Sequence, residues 1–282
     1  MDKIINCKNI AQKIKDNVKE EISHLNYKPI LVIFTDLTDD ASAVYIKQKI
    51  KACEYCGIGV LSVDLKGYNN IDEILRDIEA FNKDDSIAGI MVQLPQTTLD
   101  TETIINAINP KKDVDGLTWY NVAQLHLHKP LDNYLAPCTP VGILKVLESI
   151  DFQFEGSRIL ILGRSDIVGR PLAELLTQRN CTVTLAHSKT QEESLRNDFD
   201  LVISAIGKPK VFCSFINSDK TKPILIDVGI NRDKNNKLCG DFDLEKSEYL
   251  YVTPVPGGIG PMTVAMLMSN ILKAIKLQNK KQ

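Results

Sequence analysis

Long apolar runs are missing from this chain: no window approaches the roughly 18 consecutive apolar residues of a membrane-crossing helix. The opening Met1-Asp2-Lys3-Ile4 also lacks the hydrophobic stretch ending in small residues that a secretory signal needs. No membrane association is expected, and the expected compartment is cytoplasmic. A basic excess is missing too. The formal net charge is −2, whereas a dedicated nucleic-acid binder carries a positive surplus, so no nucleic-acid partner is expected. Seven cysteines, an odd number scattered over the chain, give no disulfide framework, and free buried thiols are the default. Cys53 and Cys56 form a lone C-x-x-C without a second Cys or His pair at zinc spacing. On a segment that reads as helix they are expected to pack rather than to bind metal, and no metal site is expected. Internal repeats and low-complexity tracts are absent.

What is present is ordinary for a globular protein: 282 residues, 44% hydrophobic and 25% charged, room for two domains of common size. Helical and strand periods alternate along most of the length. Ile10, Ile14, Val18, Ile22 and Leu25 recur on one helical face, and residues 30–34 follow as a buried strand. A helix over 41–56, a strand over 60–63, a helix over 71–82 and a strand over 87–92 continue the series. Repeated βα units with continuously apolar strands predict parallel sheets covered on both faces. Lys129-Pro130 and Pro137-Cys-Thr-Pro140 interrupt the alternation and mark an approaching domain boundary. Thr139-Pro140 reads as an N-cap and first helical residue, opening a connecting helix through Ile150. Strands over 182–186, 201–204 and 224–227 come later, and a last helix is expected from Pro261 to about Leu277.

Between the connecting helix and those strands lies Arg158-Ile-Leu-Ile-Leu-Gly-Arg-Ser-Asp-Ile-Val-Gly-Arg-Pro171. An apolar strand runs into a glycine turn and a helix start, where backbone N–H groups favour a pyrophosphate. Gly163 permits the tight turn and Gly169 close helix–strand packing. The middle glycine of the usual G-x-G-x-x-G is replaced by Ser165, so a plain strand-to-helix turn competes with the dinucleotide reading. About 20 residues past the loop an NAD site carries Asp or Glu against the ribose 2′-hydroxyl. Here the second strand ends in His187-Ser188-Lys189-Thr190, with no carboxylate. Arg164, Ser165 and Ser188 offer a guanidinium and hydroxyls suited to a 2′-phosphate, which favours NADP. His187 and Lys189 are equally compatible with a solvated loop.

Upstream, Tyr45 and Lys49 stand at i and i+4, on one face of a predicted helix. A Tyr-x-x-x-Lys pair also marks short-chain dehydrogenases, but there it lies downstream of an N-terminal glycine loop, and the order here excludes that reading. A surface helix carrying Lys47, Lys49 and Lys51 accounts for the same spacing. Gln93 is the single amide at the end of the strand over 87–92, where open α/β sheets place ligands. Asp113 and Asp115 lie on a loop closed by Gly116, and either fits an ordinary Asx-turn.

Taken in chain order, Tyr45-x-x-x-Lys49, Val92-Gln-Leu-Pro95, Lys112-Asp-Val-Asp-Gly116, Pro137-Cys-Thr-Pro140, Gly163-Arg-Ser-x-Ile-Val-Gly169, His187-Ser-Lys-Thr190 and Pro254-Val-Pro-Gly-Gly-Ile-Gly-Pro-Met-Thr263 resemble the bifunctional methylenetetrahydrofolate dehydrogenase/cyclohydrolase family. The resemblance covers nearly the whole chain, and its last motif is long and distinctive. It implies NADP-dependent oxidation of 5,10-methylenetetrahydrofolate to the methenyl form, then hydrolysis to 10-formyltetrahydrofolate, in one-carbon metabolism. By the same resemblance Lys49 serves the hydrolytic step beside Gln93. Tyr45 packs against the pterin and aminobenzoyl region, Asp115 hydrogen-bonds the pterin, and Ser42, Pro256, Gly257, Gly258 and Thr263 complete the substrate contacts. Gly163, Arg164, Ser165, Gly169, His187, Ser188 and the backbone of Ile230 hold NADP. The partners implied are tetrahydrofolate derivatives and a second copy of the chain, in a homodimer joined through the cofactor domain.

The fold class implied is α/β, with two α/β domains, the C-terminal one Rossmann-like, and a catalytic cleft between them. Residues 1–138, completed by the C-terminal helix 261–282, form the folate-binding domain, and residues 139–260 the NADP-binding one. One stretch departs from the family pattern. Leu37-Thr-Asp-Asp-Ala-Ser42 stands where relatives carry Gly-Asp-Asp/Asn-Pro-Ala-Ser. Altered rim contacts, rather than lost chemistry, are expected there. From the cofactor loop alone, a dehydrogenase for another small substrate, such as an amino or hydroxy acid, remains the competing reading.

Overall fold

The computed structural model describes residues 3–36, 40–94, 100–195, 198–209 and 222–280, with every side chain in them except those of 40–44 and 192. Residues 37–39 of the divergent stretch therefore lie outside the described residues, as do the side chains of 40–42. The chain divides into two compact units. One comprises Gln12–Cys138 with Val264–Gln282, the other Met1–Ala11 with Thr139–Thr263.

In the first unit β1 (Ile30–Thr35), β2 (Gly59–Asp64) and β3 (Ile87–Val92) form a parallel sheet in the order β2-β1-β3. α2 (Asp40–Cys56) connects β1 to β2 and α3 (Ile71–Lys83) connects β2 to β3. Every residue of β3, and of β1 past Ile30, is buried. This is the expected property of a strand covered on both faces, and burying one side chain such as Leu31 stabilises by roughly 1.5–3 kcal/mol. Val32, Phe34, Ile74, Ile78 and Ile90 belong to one core cluster. α3 opens on Asn70, whose side chain accepts from Glu73 N at 3.1 Å, an N-cap that spares one first-turn donor. Two short helices that apolar periodicity does not reveal, α4 (Thr101–Asn106) and α5 (Trp119–His126), follow the sheet. Their N-caps, Asp100 and Thr118, accept from Thr103 N and Asn121 N.

In the second unit β4 (Arg158–Leu162), β5 (Thr182–Ala186), β6 (Leu201–Ser204) and β7 (Ile224–Asp227) form a parallel sheet ordered β5-β4-β6-β7. α7 (Gly169–Thr177) links β4 to β5, and two short strands, β8 (Asn231–Arg232) and β9 (Leu238–Cys239), pair antiparallel. The N-terminal residues join this unit: Ile5 N donates to Val252 O at 2.9 Å and Val252 N to Lys3 O at 2.9 Å. In each sheet two adjacent strands, β1 with β3 and β4 with β6, are followed by connections that leave in opposite directions. Ligands of open α/β sheets bind outside the carboxyl ends at such switch points.

α1 (Cys7–Ser23), α6 (Cys138–Glu148) and α8 (Ile259–Asn279) complete the fold. α6 corrects the expected cap: it opens at Cys138, so Thr139 stands inside the first turn, and its hydroxyl meets that of Thr263 at 2.8 Å. Pro140 still falls where a missing N–H costs nothing, which is why the motif reads as a start although its register is shifted. α8 likewise opens at Ile259, ahead of Pro261. No helix of the described residues is long and apolar enough to cross a membrane.

Candidate active site

Lys49 owes its position to the stripe on which it lies. Ile46, Cys53 and Cys56 are buried, and their spacing puts residue 49 on the same inward face of α2, whereas Lys47 and Lys51 are exposed. Lys49 Nζ donates to Gln93 Oε1 at 2.8 Å and approaches Met91 Sδ at 3.8 Å. Gln93 follows β3 directly, its N donating to Phe34 O at 2.8 Å at the carboxyl end of β1, and its Nε2 donates to Leu94 O. The pair thus sits at the β1–β3 switch point. Tyr45 lies one turn earlier on α2, 37% exposed, and burial of the rest of the ring raises its phenol.

Asp113 and Asp115, alternatives in the sequence, have different duties. Asp113 is buried and accepts from Gly116 N, Thr118 N and Asn121 Nδ2 at 3.0, 2.7 and 2.8 Å, so it closes the loop. Asp115 is half-buried; burial pushes its carboxyl above the usual range, against the pull of Lys49. Cys138 belongs to the same cluster. Its thiol is buried and driven well up by burial and by Asp115, with Lys49 opposing, and it donates to Val114 O at 3.4 Å. Cys53 and Cys56 are buried in α2, Cys56 Sγ donating to Lys15 O at 3.6 Å.

Asn270 of α8 is a residue that sequence reasoning missed, although an amide among Met266, Leu267, Met268 and Ile271, all buried, is the signal that marks it. Its Nδ2 donates to Val114 O at 2.8 Å and Ala136 O at 2.9 Å and lies 3.5 Å from Cys138 Sγ. It thereby straps the residues flanking Asp115 and Cys138. Asn270→Leu leaves two buried carbonyls without this donor and is expected to cost about 2–4 kcal/mol. A urea unfolding midpoint equal to that of wild type would show that the strap is dispensable.

In the second unit Gly163 closes β4 with φ +114°, and its N donates to Ala186 O at 2.9 Å. A Cβ at Gly169 would fall 2.1 Å from Gly163 O, so the start of α7 rests directly on the end of β4. Ser165 Oγ accepts from Val168 N at 3.2 Å, giving the unusual middle residue a turn-forming duty. Val168 supplies no side-chain cap to α7; Arg170 N donates to Ser165 O at 3.1 Å, and Pro171, in the first turn, carries no N–H. Arg164, Ser165 and Ser188 are exposed. His187 is half-buried, its N donating to Thr190 Oγ1 at 3.0 Å while its Nδ1 accepts from Lys189 N at 3.1 Å. Ile230 is 45% exposed.

The same unit carries the last motif, with a cis Val255–Pro256 bond and Gly257 at φ +103°. Pro256 is exposed and Gly258 buried. Thr263 Oγ1 donates to Ile259 O at 3.2 Å. The predicted residues therefore form two groups. Tyr45, Lys49, Gln93 and Asp115 belong to the first unit, and the glycine-loop residues, His187, Ser188, Ile230, Pro256, Gly257, Gly258 and Thr263 to the second. Among the described residues no group of three or more His, Cys, Asp or Glu is arranged to hold a metal ion.

Residues 5–115 match the model of the tetrahydrofolate dehydrogenase/cyclohydrolase catalytic domain, and residues 137–279 that of the NAD(P)-binding domain of the same family. The bifunctional protein FolD of Agathobacter rectalis is 44% identical, over 98% of this chain and 100% of its own. The crystal structure of bifunctional FolD from Campylobacter jejuni superposes with a TM-score of 0.92 at 38% identity, covering 98% of this chain and 99% of that one. That of the Trypanosoma brucei enzyme, complexed with NADP cofactor and inhibitor, gives 0.89 at 31% identity, over 99% and 98%.

Proposed function

Because the chain belongs to the tetrahydrofolate dehydrogenase/cyclohydrolase family, we propose that it oxidises 5,10-methylenetetrahydrofolate with NADP and hydrolyses the methenyl product to 10-formyltetrahydrofolate. The observation that carries this reading is the contact of Lys49 Nζ with Gln93 Oε1 at 2.8 Å, beside Asp115, at the carboxyl end of the first sheet. In the hydrolytic step water oxygen bonds to the methenyl carbon, the bond from that carbon to ring nitrogen N5 breaks as N5 takes up one of the water protons, and the other proton leaves to solvent. Lys49 Nζ orients the attacking water, while Gln93 Oε1 accepts one of the lysine hydrogens and so sets the direction of the rest. Asp115 hydrogen-bonds the pterin, Tyr45 stacks on it, and Ser42, Pro256, Gly257, Gly258 and Thr263 bound the remainder of the folate.

The close seating of Gly169 on Gly163 sets the start of α7 directly on the end of β4, the packing that places a helix N-terminus where a pyrophosphate binds. Bound NADP supplies the hydride acceptor for the oxidation. The turn running from Gly163 to Gly169 would receive its phosphates, and Arg164, Ser165 and Ser188 would hold the 2′-phosphate. His187 would border that group, and the backbone of Ile230 would contact the cofactor. In this reading residues 1–138 and 261–282 form the folate domain and residues 139–260 the cofactor domain. The active form is a cytoplasmic homodimer, for which light scattering is the direct test.

A paired assay on the purified protein tests the proposal: NADP reduction with 5,10-methylenetetrahydrofolate, and separately the loss of the methenyl chromophore. Both activities are expected. Reduction without accelerated hydrolysis would remove the role given to Lys49, and neither activity would remove the reading altogether.

A further inference from the structure

Past Ser204 at the end of β6, three successive backbone N–H groups converge on one side chain. Ile206 N and Gly207 N donate to Asp241 Oδ2 at 3.0 and 3.3 Å, and Lys208 N donates to Asp241 Oδ1 at 3.2 Å. Ser204 Oγ adds a bond of 2.8 Å to Oδ2 and Asn231 Nδ2 one of 2.8 Å to Oδ1. With Gly207 at φ +65°, this run of N–H groups forms a nest of the kind that takes up an anion. Here the anion is the chain's own carboxylate, 1% exposed.

A second carboxylate holds the first. Asp227, at the end of β7 and 4% exposed, accepts from Gly229 N, Asp241 N and Phe242 N at 2.9, 3.0 and 3.0 Å. Burial pushes its acid group up to about 6, with Asp241 adding to the effect. Only glycine fits at the two crossing points. A Cβ at Gly229 would lie 1.9 Å from Asp241 Oδ1, and one at Gly240 2.0 Å from Asp227 Oδ2. The donors named are backbone amides, one hydroxyl and one carboxamide. The arrangement therefore holds geometry through neutral partners, tying together the segments after β6, after β7 and after β9.

These segments border the β4–β6 switch point. Ala205 N donates to Leu162 O at 2.8 Å, and a Cβ at Gly163 would fall 2.6 Å from Ala205 O, so the turn beginning at Ile206 is one residue from the glycine loop. We propose that Asp241, held in turn by Asp227, is a positioning residue for the dinucleotide. It fixes the Ile206–Lys208 turn and Asn231 at the carboxyl end of the second sheet without touching the cofactor. The inference rests on the reading that NADP occupies that end of the sheet.

Asp241→Asn keeps the shape but turns an amide N–H₂ toward donors that need an acceptor. Initial rates of NADP reduction and of methenyl hydrolysis, which needs no NADP, are measured on one preparation of the full-length variant. The expected result is a KM for NADP raised about tenfold or more. The kcat of the oxidation at saturating NADP, and the hydrolysis rate, should each stay within about twofold of wild type. An unchanged KM for NADP overturns the proposal, and so does a parallel loss of hydrolysis, which would mark a general structural role. Should Asp241→Asn not accumulate as folded protein, Ser204→Ala removes one donor and keeps the carboxylate. Its KM for NADP is expected to rise about threefold, and no change overturns the proposal. A wild-type protein that hydrolyses the methenyl substrate without reducing or binding NADP would overturn the underlying reading as well. Wild-type and variant proteins that bind NADP equally well would overturn this inference alone.

Discussion

Lys49→Ala is expected to lower methenyl hydrolysis by about a thousandfold or more, within the range for loss of a general acid–base group, while part of the NADP-dependent oxidation survives. The division follows from what each half-reaction asks of the protein. Hydrolysis needs a water held and stripped of a proton, and Lys49 Nζ, fixed by Gln93 Oε1 at 2.8 Å, is the group directed to it. Oxidation needs the two reacting carbons held in register, with the electronic push coming from the folate nitrogen, so positioning dominates there. Removing Lys49 also removes the charge that opposes the upward push on Asp115. The pH profile of the surviving oxidation is therefore expected to shift toward higher pH wherever Asp115 must be ionised. Gln93→Ala frees Nζ without deleting it, and a smaller loss of about 10- to 100-fold in hydrolysis is expected. Equal loss of both activities in a folded Lys49→Ala protein that still binds NADP would refute the division of labour.

Gly169→Ala is expected to do the reverse. The new Cβ would stand 2.1 Å from Gly163 O, 2.8 Å from Gly163 C and 2.9 Å from Arg164 Cα, all backbone atoms that no rotamer change can clear. α7 must lift away from β4, and the N–H groups at its start move with it. A loss of about 100-fold or more in kcat/KM for NADP is expected, since misplacement by about 1 Å can cost that much. Methenyl hydrolysis by the same protein should remain. Isothermal titration with NADP gives the direct measurement, and wild-type affinity would mean that the loop does not receive the pyrophosphate.

The strands and the main helices were legible because their patterns are local. Continuous apolar runs over β1, β3 and β4 can be satisfied only by strands covered on both faces. A surface helix carrying Lys47, Lys49 and Lys51 leaves the direction of Lys49 open, and it is the burial of Ile46, Cys53 and Cys56 that turns residue 49 inward. The choice between Asp113 and Asp115 came from the family resemblance and was not legible in the local pattern. The two differ by two residues in one loop, and what separates them is Thr118 N and Asn121 Nδ2, groups brought to Asp113 by a helix whose start depends on its own cap. The duties of Asn270 and Asp241 were hidden for a related reason, although the amide of Asn270 stands out among its apolar neighbours. Their partners stand far away in sequence, Val114 for one and the Ile206–Lys208 turn for the other, and nothing in local propensity reports a pairing made by packing. The register of α6 escaped because Thr-Pro signals a helix start to within a residue or two and no better.

The strap formed by Asn270 sets an order of events during synthesis. Gln12–Cys138 leaves the ribosome well before Val264–Gln282, with all of Thr139–Thr263 in between. At about 10 residues per second that interval lasts on the order of ten seconds. Throughout it the nascent protein already contains Tyr45, Lys49, Gln93 and Asp115, yet Val114 O and Ala136 O have no amide from α8 to meet them. The segment that carries the hydrolytic residues is made early and fastened late. Its loop is locked only after the cofactor-binding sheet has been translated, so a chain interrupted short of α8 carries the residues for hydrolysis without the fastening that aligns them.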